Sequence, residues 1–179
     1  DVYKRQIPFN KRPPLTHPSF FSKGHKMADT NSQVVEVLND LLKNAHDGAQ
    51  SYRVGAEETE SVDLKQRFTS LVTYHEKTAQ ELATLIATYG GEPTESGSIG
   101  GAVHRGWLKV KTAVGADSDH SILEEAERGE DANVARYRKA SKEALPADVA
   151  AVVSRLAANA QQSHDIIKAL RDQAKAQKR

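Results

Sequence analysis

The chain of 179 residues carries 25 Lys+Arg against 24 Asp+Glu, no cysteine, one tryptophan and 27% charged residues, room for about one globular domain with a tail. The missing cysteine excludes a disulfide scaffold, a thiolate nucleophile, a cysteine-ligated zinc site and an iron–sulfur cluster, and no apolar run reaches the ~18 residues that a membrane-spanning helix needs. The net charge of +1 averages two different compositions.

The seam between them lies at Met27, the only methionine. Residues 1–26 hold four of the six prolines (Pro8, Pro13, Pro14, Pro18), three of the four phenylalanines, and six basic side chains against the single acid Asp1. No apolar period organises them, and they lack the apolar stretch of a secretory signal. The opening Asp-Val-Tyr-Lys-Arg-Gln resembles a translated sequencing adapter. A non-native or disordered leader is therefore expected over 1–26; the alternative is a natural basic arm that touches membrane or nucleic acid. Residues 27–179 hold 19 basic and 23 acidic side chains. This mildly acidic balance, without a clustered basic surface, predicts no nucleic-acid binding.

Over 27–179 the apolar residues repeat with helical period. A first helix over about 32–59 aligns Val34, Leu38, Leu41, Leu42, Ala45, Ala49, Tyr52 and Ala56, with Asn31 or Ser32 as its cap. A second over about 61–89 aligns Leu64, Phe68, Leu71, Val72, Ala79, Leu82 and Ile86 before Gly90, Gly91 and Pro93 stop it. After a polar Gly/Ser stretch, a short helix over 102–114 is expected with Val103, Trp107, Val110 and Val114 on one face. A third long helix, about 119–143, aligns Leu123, Ala126, Val134 and Tyr137. The fourth, from Pro146 to about 175, aligns Val149, Val153, Leu156, Ala160, Ile167 and Leu170.

Four amphipathic helices, each roughly 40 Å long, bury their stripes best as a bundle. Short links near Glu60 and at Ala144-Leu145-Pro146 make each sequential pair antiparallel. The long connection from Gly90 to Ser118 can run back along the bundle, making the second and third helices parallel. The expected fold is all-α, a ferritin-like four-helix bundle with one long crossover that contains a short helix.

Polar residues interrupt the stripes at informative places. His75 sits at the centre of the second helix's apolar face, and Glu130 does the same on the third. Gln161 and His164 border the fourth stripe. All lie near mid-helix, so a bundle can bring them to similar depth. A carboxylate buried there needs a histidine, a tyrosine hydroxyl or a metal as partner.

The segments Leu38-Asn39-Asp40-Leu41, Asp47-Gly48 to Tyr52, His104-Arg105-Gly106-Trp107 and Glu127-Arg128-Gly129-Glu130-Asp131 resemble an uncharacterised bacterial ferritin-like domain family of unknown function, within the rubrerythrin-related superfamily. The resemblance spans about 34–172. It implies a four-helix bundle and says little about activity. Metal-binding members of the superfamily use one Glu from each of two helices and a Glu-x-x-His pair from each of the others. Matched on the core tyrosines, this sequence offers Ala45 on the first helix, His75 and Thr78 on the second, Glu130 on the third, and Gln161 with His164 on the fourth. One carboxylate cannot bridge two cations ~3.5–4 Å apart, which argues against a di-iron centre.

Two readings of that core remain. In one, His75, Glu130 and His164, with Gln161 or water, hold a single divalent ion, zinc or iron. In the other, Glu130 pairs with His75 or His164 and with the hydroxyl of Tyr52 or Tyr137 in a metal-free polar network that fixes helix register. The network is preferred, and no cofactor is expected. Glu124, Glu125, Glu127 and Asp131 read as a solvated acidic face, with Glu127 near enough to the core to join Glu130. Asp47 and Gly48 read as close packing of the crossover on the first helix. His104, Arg105 and Trp107 read as a side cap or a ligand pocket. Gly97-Ser98-Ile99-Gly100-Gly101 lacks the preceding strand of a nucleotide fingerprint, and no nucleophile–base–orienter set occurs. The expectation is a cytoplasmic, non-catalytic structural or interaction protein with a degenerate di-metal site, independent of membranes. A homo-oligomer through helix faces is possible.

Overall fold

The computed structural model describes residues 21–97 and 118–177, with side chains described for 30–97 and 119–177. Among these residues the chain forms four helices and no strand: α1 (Phe21–Glu58), α2 (Val62–Thr88), α3 (Ser118–Ala140) and α4 (Ala147–Ala176). The leader up to residue 20 and the short helix expected over 102–114, with His104, Arg105 and Trp107, lie outside the described residues. The helix α1 starts eleven residues before the expected position and runs through Met27. No proline occurs between Pro18 and Pro93, so nothing there removes a helical hydrogen bond or clashes with the preceding turn.

Local chemistry sets the helix ends. The Ser61 hydroxyl caps α2 by accepting from the Leu64 N–H at 3.4 Å, with Asp63 in the first turn, where a negative charge complements the helix dipole. At the other end Gly90 adopts φ +76°, its N–H bonding to Ala87 O and the Gly91 N–H to Ile86 O, both at 3.0 Å. That paired arrangement satisfies otherwise orphaned carbonyls and needs a left-handed residue, which glycine supplies without Cβ strain.

Contacts between elements fix the topology. The helices α1 and α2 pair antiparallel across their short link, as do α3 and α4. The side of α1 that meets α3 pairs Gln33 with Glu143, Asp40 with Arg136 and Thr59 with Asp119, an antiparallel order. Consequently α2 and α3 run parallel, as a long crossover requires. The crossover begins along α1: Asn39 donates to Glu92 O at 3.1 Å and accepts from Thr94 N at 2.9 Å. One step further, Gly97 lies so close to the Asp47 carboxylate that a Cβ there would collide with it, in keeping with the packing role read for Asp47. Gly48 faces elsewhere, against α2.

The buried apolar residues form two clusters along the bundle axis. One gathers Leu38, Leu41, Leu42, Leu82, Ile86, Tyr137 and Leu156; the other gathers Tyr52, Phe68, Ile122, Leu123, Ala126 and Ile167. The described residues also bury Asn44, Thr59, His75, Thr78, Glu130 and Asn133. Of these, Asn44, Glu130 and Asn133 form a polar layer at mid-bundle.

Candidate functional site

Glu130 is the centre of that layer. It lies on the core face of α3, one turn after Ala126, and is 2% exposed. Its Oε1 accepts from the hydroxyl of Tyr52 on α1 and from that of Ser163 on α4, the latter at 2.7 Å. Its Oε2 accepts from Asn133 Nδ2, one turn along α3, at 3.1 Å. Asn133 Oδ1 in turn accepts from Asn44 Nδ2 on α1 at 2.6 Å. Three helices thereby meet on a single carboxylate. A buried carboxylate supplied with three donors avoids the desolvation cost that an unpaired one would carry.

Tyr52 carries the layer toward α2. Its ring stacks on His75 with centroids 5.6 Å apart and planes 25° apart, and meets Phe68 at 5.4 Å. Tyr74 presents its edge to the same imidazole at 5.4 Å and 70°. Gly48 makes the space: a Cβ there would lie 2.5 Å from His75 Cε1. Burial holds the His75 pKa below the ordinary histidine value, against the pull of the Glu130 charge, because a low-dielectric surrounding disfavours imidazolium. Burial, then the charge and hydrogen bond of Glu130, raise the Tyr52 phenol well above its usual value. Its proton therefore stays on oxygen as the donor.

Of the residues singled out in the sequence, Glu130, His75 and Tyr52 come together. Tyr137 is buried on the other side, among the apolar cluster of Leu82 and Leu156; burial, followed by Tyr74 and Glu81, raises its pKa. His164 and Gln161 make their hydrogen bonds at the bundle's edge. His164 Nε2 meets Asp131 at 3.1 Å and Nδ1 meets Asp165 at 3.0 Å, while the exposed Gln161 donates to Asp165 at 2.9 Å. The hydrogen bond that His164 donates to the Asp165 carboxylate, reinforced by Asp131, raises the His164 pKa. Glu127 pairs with Arg171 of α4 at 2.7 Å and leaves Glu130 to other partners. Among the described residues no group of three or more His, Cys, Asp or Glu is arranged to hold a metal ion.

Ser163, Asn133 and Asn44 were missing from the expectation. Ser163 sits three residues after Ala160 and four before Ile167, squarely on the stripe. The Glu-x-x-His spacing on α4 points instead to His164, one position on, and a step of one residue turns a helix by 100°. Asn133 follows Glu130 by three, a spacing that puts both on one face.

Ser163 also lines a cleft of about 860 Å³ between α2 and α4. Those helices are tied at one end, where the Tyr89 hydroxyl donates to Asp148 at 2.8 Å and Arg155 pairs with Glu81. The cleft opens toward the other end, between Leu64 and Leu170.

Four long helices, a long crossover and a mid-bundle carboxylate layer define a ferritin-like four-helix bundle. The chain belongs to the family described as domain of unknown function DUF2383, which matches residues 33–143. No curated protein matches it. Among solved structures it is similar to a ferritin-like, diiron-carboxylate protein from Bacillus anthracis, with a TM-score of 0.61 and 22% identity over 79% of this chain and 96% of that one. It is also similar to a mutant of Dps1 from Mycobacterium smegmatis, with a TM-score of 0.60 and 18% identity over 79% and 96% of the two chains. At such identities the likeness shows the fold.

Proposed function

We propose that this protein is a cytoplasmic, non-catalytic structural or interaction protein in which a hydrogen-bonded core replaces the metal centre that its fold invites. The observation that carries this reading is the state of the Glu130 carboxylate, with both oxygens engaged by Tyr52, Ser163 and Asn133. A dinuclear centre needs carboxylate lone pairs directed at two cations. Here they are directed at O–H and N–H groups, and the other buried mid-bundle groups, the Asn44 amide and the His75 imidazole stacked on Tyr52, add no second carboxylate. These residues do not fit a di-iron site, so no chemistry is routed through one. The competing arrangement, a single zinc or iron ion on His75, Glu130 and His164, would require His164 to leave both Asp131 and Asp165.

The deciding measurement is the metal content of the purified full chain after growth in iron- and zinc-supplemented medium. The expected result is iron and zinc far below one per chain. Stoichiometric metal that disappears in Glu130→Gln and in His164→Ala would overturn the reading.

A further inference from the structure

The cleft between α2 and α4 is unlike the rest of the surface. Of the side chains that line it only Asp63 and Arg67 are charged, in a chain with 27% charged residues. Loss of charge around a retained Arg, Tyr and aliphatic groups is the compositional mark of the buried centre of protein interfaces. The large apolar side chains most exposed among the described residues are Val62 at 78% and Ile166 at 37%. Ile166 lines the cleft beside Leu170, and Val62 is the first residue of α2, next in sequence to the lining residue Asp63. Apolar groups gathered in this way mark an interaction surface more than scattered ones do.

We infer that a second copy of this chain docks here, with the α2–α4 face of one against that of the other about a two-fold axis. The charges favour this occupant. Asp63 and Arg67 lie one turn apart on α2, and Arg67 has no ion-pair partner among the described residues. In a two-fold arrangement the same patch faces itself in reverse, so antiparallel α2 helices crossing near residue 65 set each Asp63 opposite the other copy's Arg67. No other charged side chain lines the cleft to oppose the approach. This inference deepens the interaction-protein reading and rests on it. Metal content tests the core and assembly tests this face, so either can fail without the other.

Sedimentation velocity of the full chain over a dilution series tests the inference. A dimer in reversible exchange with monomer is expected. Ile166→Glu should raise its dissociation constant roughly tenfold or more, with the helical circular dichroism and melting midpoint retained, because Ile166 is exposed. Arg67→Asp alone should weaken the dimer by setting like charges opposite one another. Asp63→Arg combined with Arg67→Asp should restore it, since the reversed pair is again self-complementary. A chain that stays monomeric at every concentration would overturn the inference. So would a dimer that neither Ile166→Glu nor Arg67→Asp weakens.

Discussion

The hydroxyl of Tyr52 on α1 donates to Oε1 of Glu130 on α3, so one helix from each antiparallel pair, on either side of the long crossover in the chain, is joined by one buried hydrogen bond. Glu130→Ala removes the shared acceptor and orphans Tyr52, Ser163 and Asn133 together. At about 1–3 kcal/mol for each of the buried donors Tyr52 and Asn133 left without a partner, with the half-buried Ser163 hydroxyl free to turn to the cleft, the loss should be at least ~2 kcal/mol. Tyr52→Phe keeps the ring against Phe68 and His75 and leaves Oε1 the Ser163 hydroxyl, so it should cost only about 1 kcal/mol. Urea denaturation midpoints at unchanged m-value measure both. Equal effects of the two substitutions would contradict the shared-acceptor arrangement.

Gly48 and His75 make a second, independent prediction. An exposed helical Gly→Ala change ordinarily stabilises by about 0.5–1 kcal/mol. At Gly48 the added Cβ would lie 2.5 Å from the His75 ring, and overpacking of this kind costs about 1–3 kcal/mol. Gly48→Ala should therefore lower the melting temperature. In a His75→Ala background the same substitution should become neutral or stabilising. A double-mutant cycle over the four proteins reads this reversal of sign directly.

Much of the fold was legible because its determinants are local or periodic. Leu38, Leu42, Phe68, Leu82, Leu123 and Leu156, chosen by period alone, are all buried, and the Gly90-Gly91 stop closes α2 with the expected backbone bonds. The start of α1 was not legible, because a composition seam at Met27 is not a helix breaker. Within the site, Glu130 and His75 stood out as polar residues at the centre of apolar stripes, and Tyr52 as a neighbour at the same depth. Ser163 and the two asparagines did not. Short polar side chains are as common on exposed faces as buried ones, and α4 is so rich in alanine that its stripe has soft edges. Which of two adjacent residues, Ser163 or His164, turns inward was then decided by packing.

The turn after α2 supplies a third prediction. Gly90 holds φ +76° with open space around its missing Cβ, so Gly90→Ala meets backbone strain without a packing clash. The expected loss is about 1 kcal/mol, and Gly90→Asn should lose less because asparagine tolerates the left-handed region better. Thermal melts of the two variants side by side distinguish conformational strain from side-chain size, since the larger residue is predicted to be the milder change.

His164 and His75 should give stability opposite dependences on pH. His164 has a folded-state pKa raised by Asp165 and Asp131. Its contribution is fully present below the unfolded value of ~6.5 and fades as pH rises through the higher folded value. His75 has a folded-state pKa lowered by burial. Its neutral form costs nothing above ~6.5, but as pH falls toward the folded value the unfolded chain takes up a proton that the native core refuses, and stability declines. The deficit of His164→Ala relative to the parent chain should accordingly be larger at mildly acidic pH than at alkaline pH. Replacing the buried imidazole by His75→Gln should flatten the acid limb of the profile, whatever it costs at neutral pH. Denaturation midpoints measured across this range for the parent and both variants test each histidine separately. A His164→Ala deficit that grew with rising pH would show that its two carboxylate contacts do not favour the imidazolium.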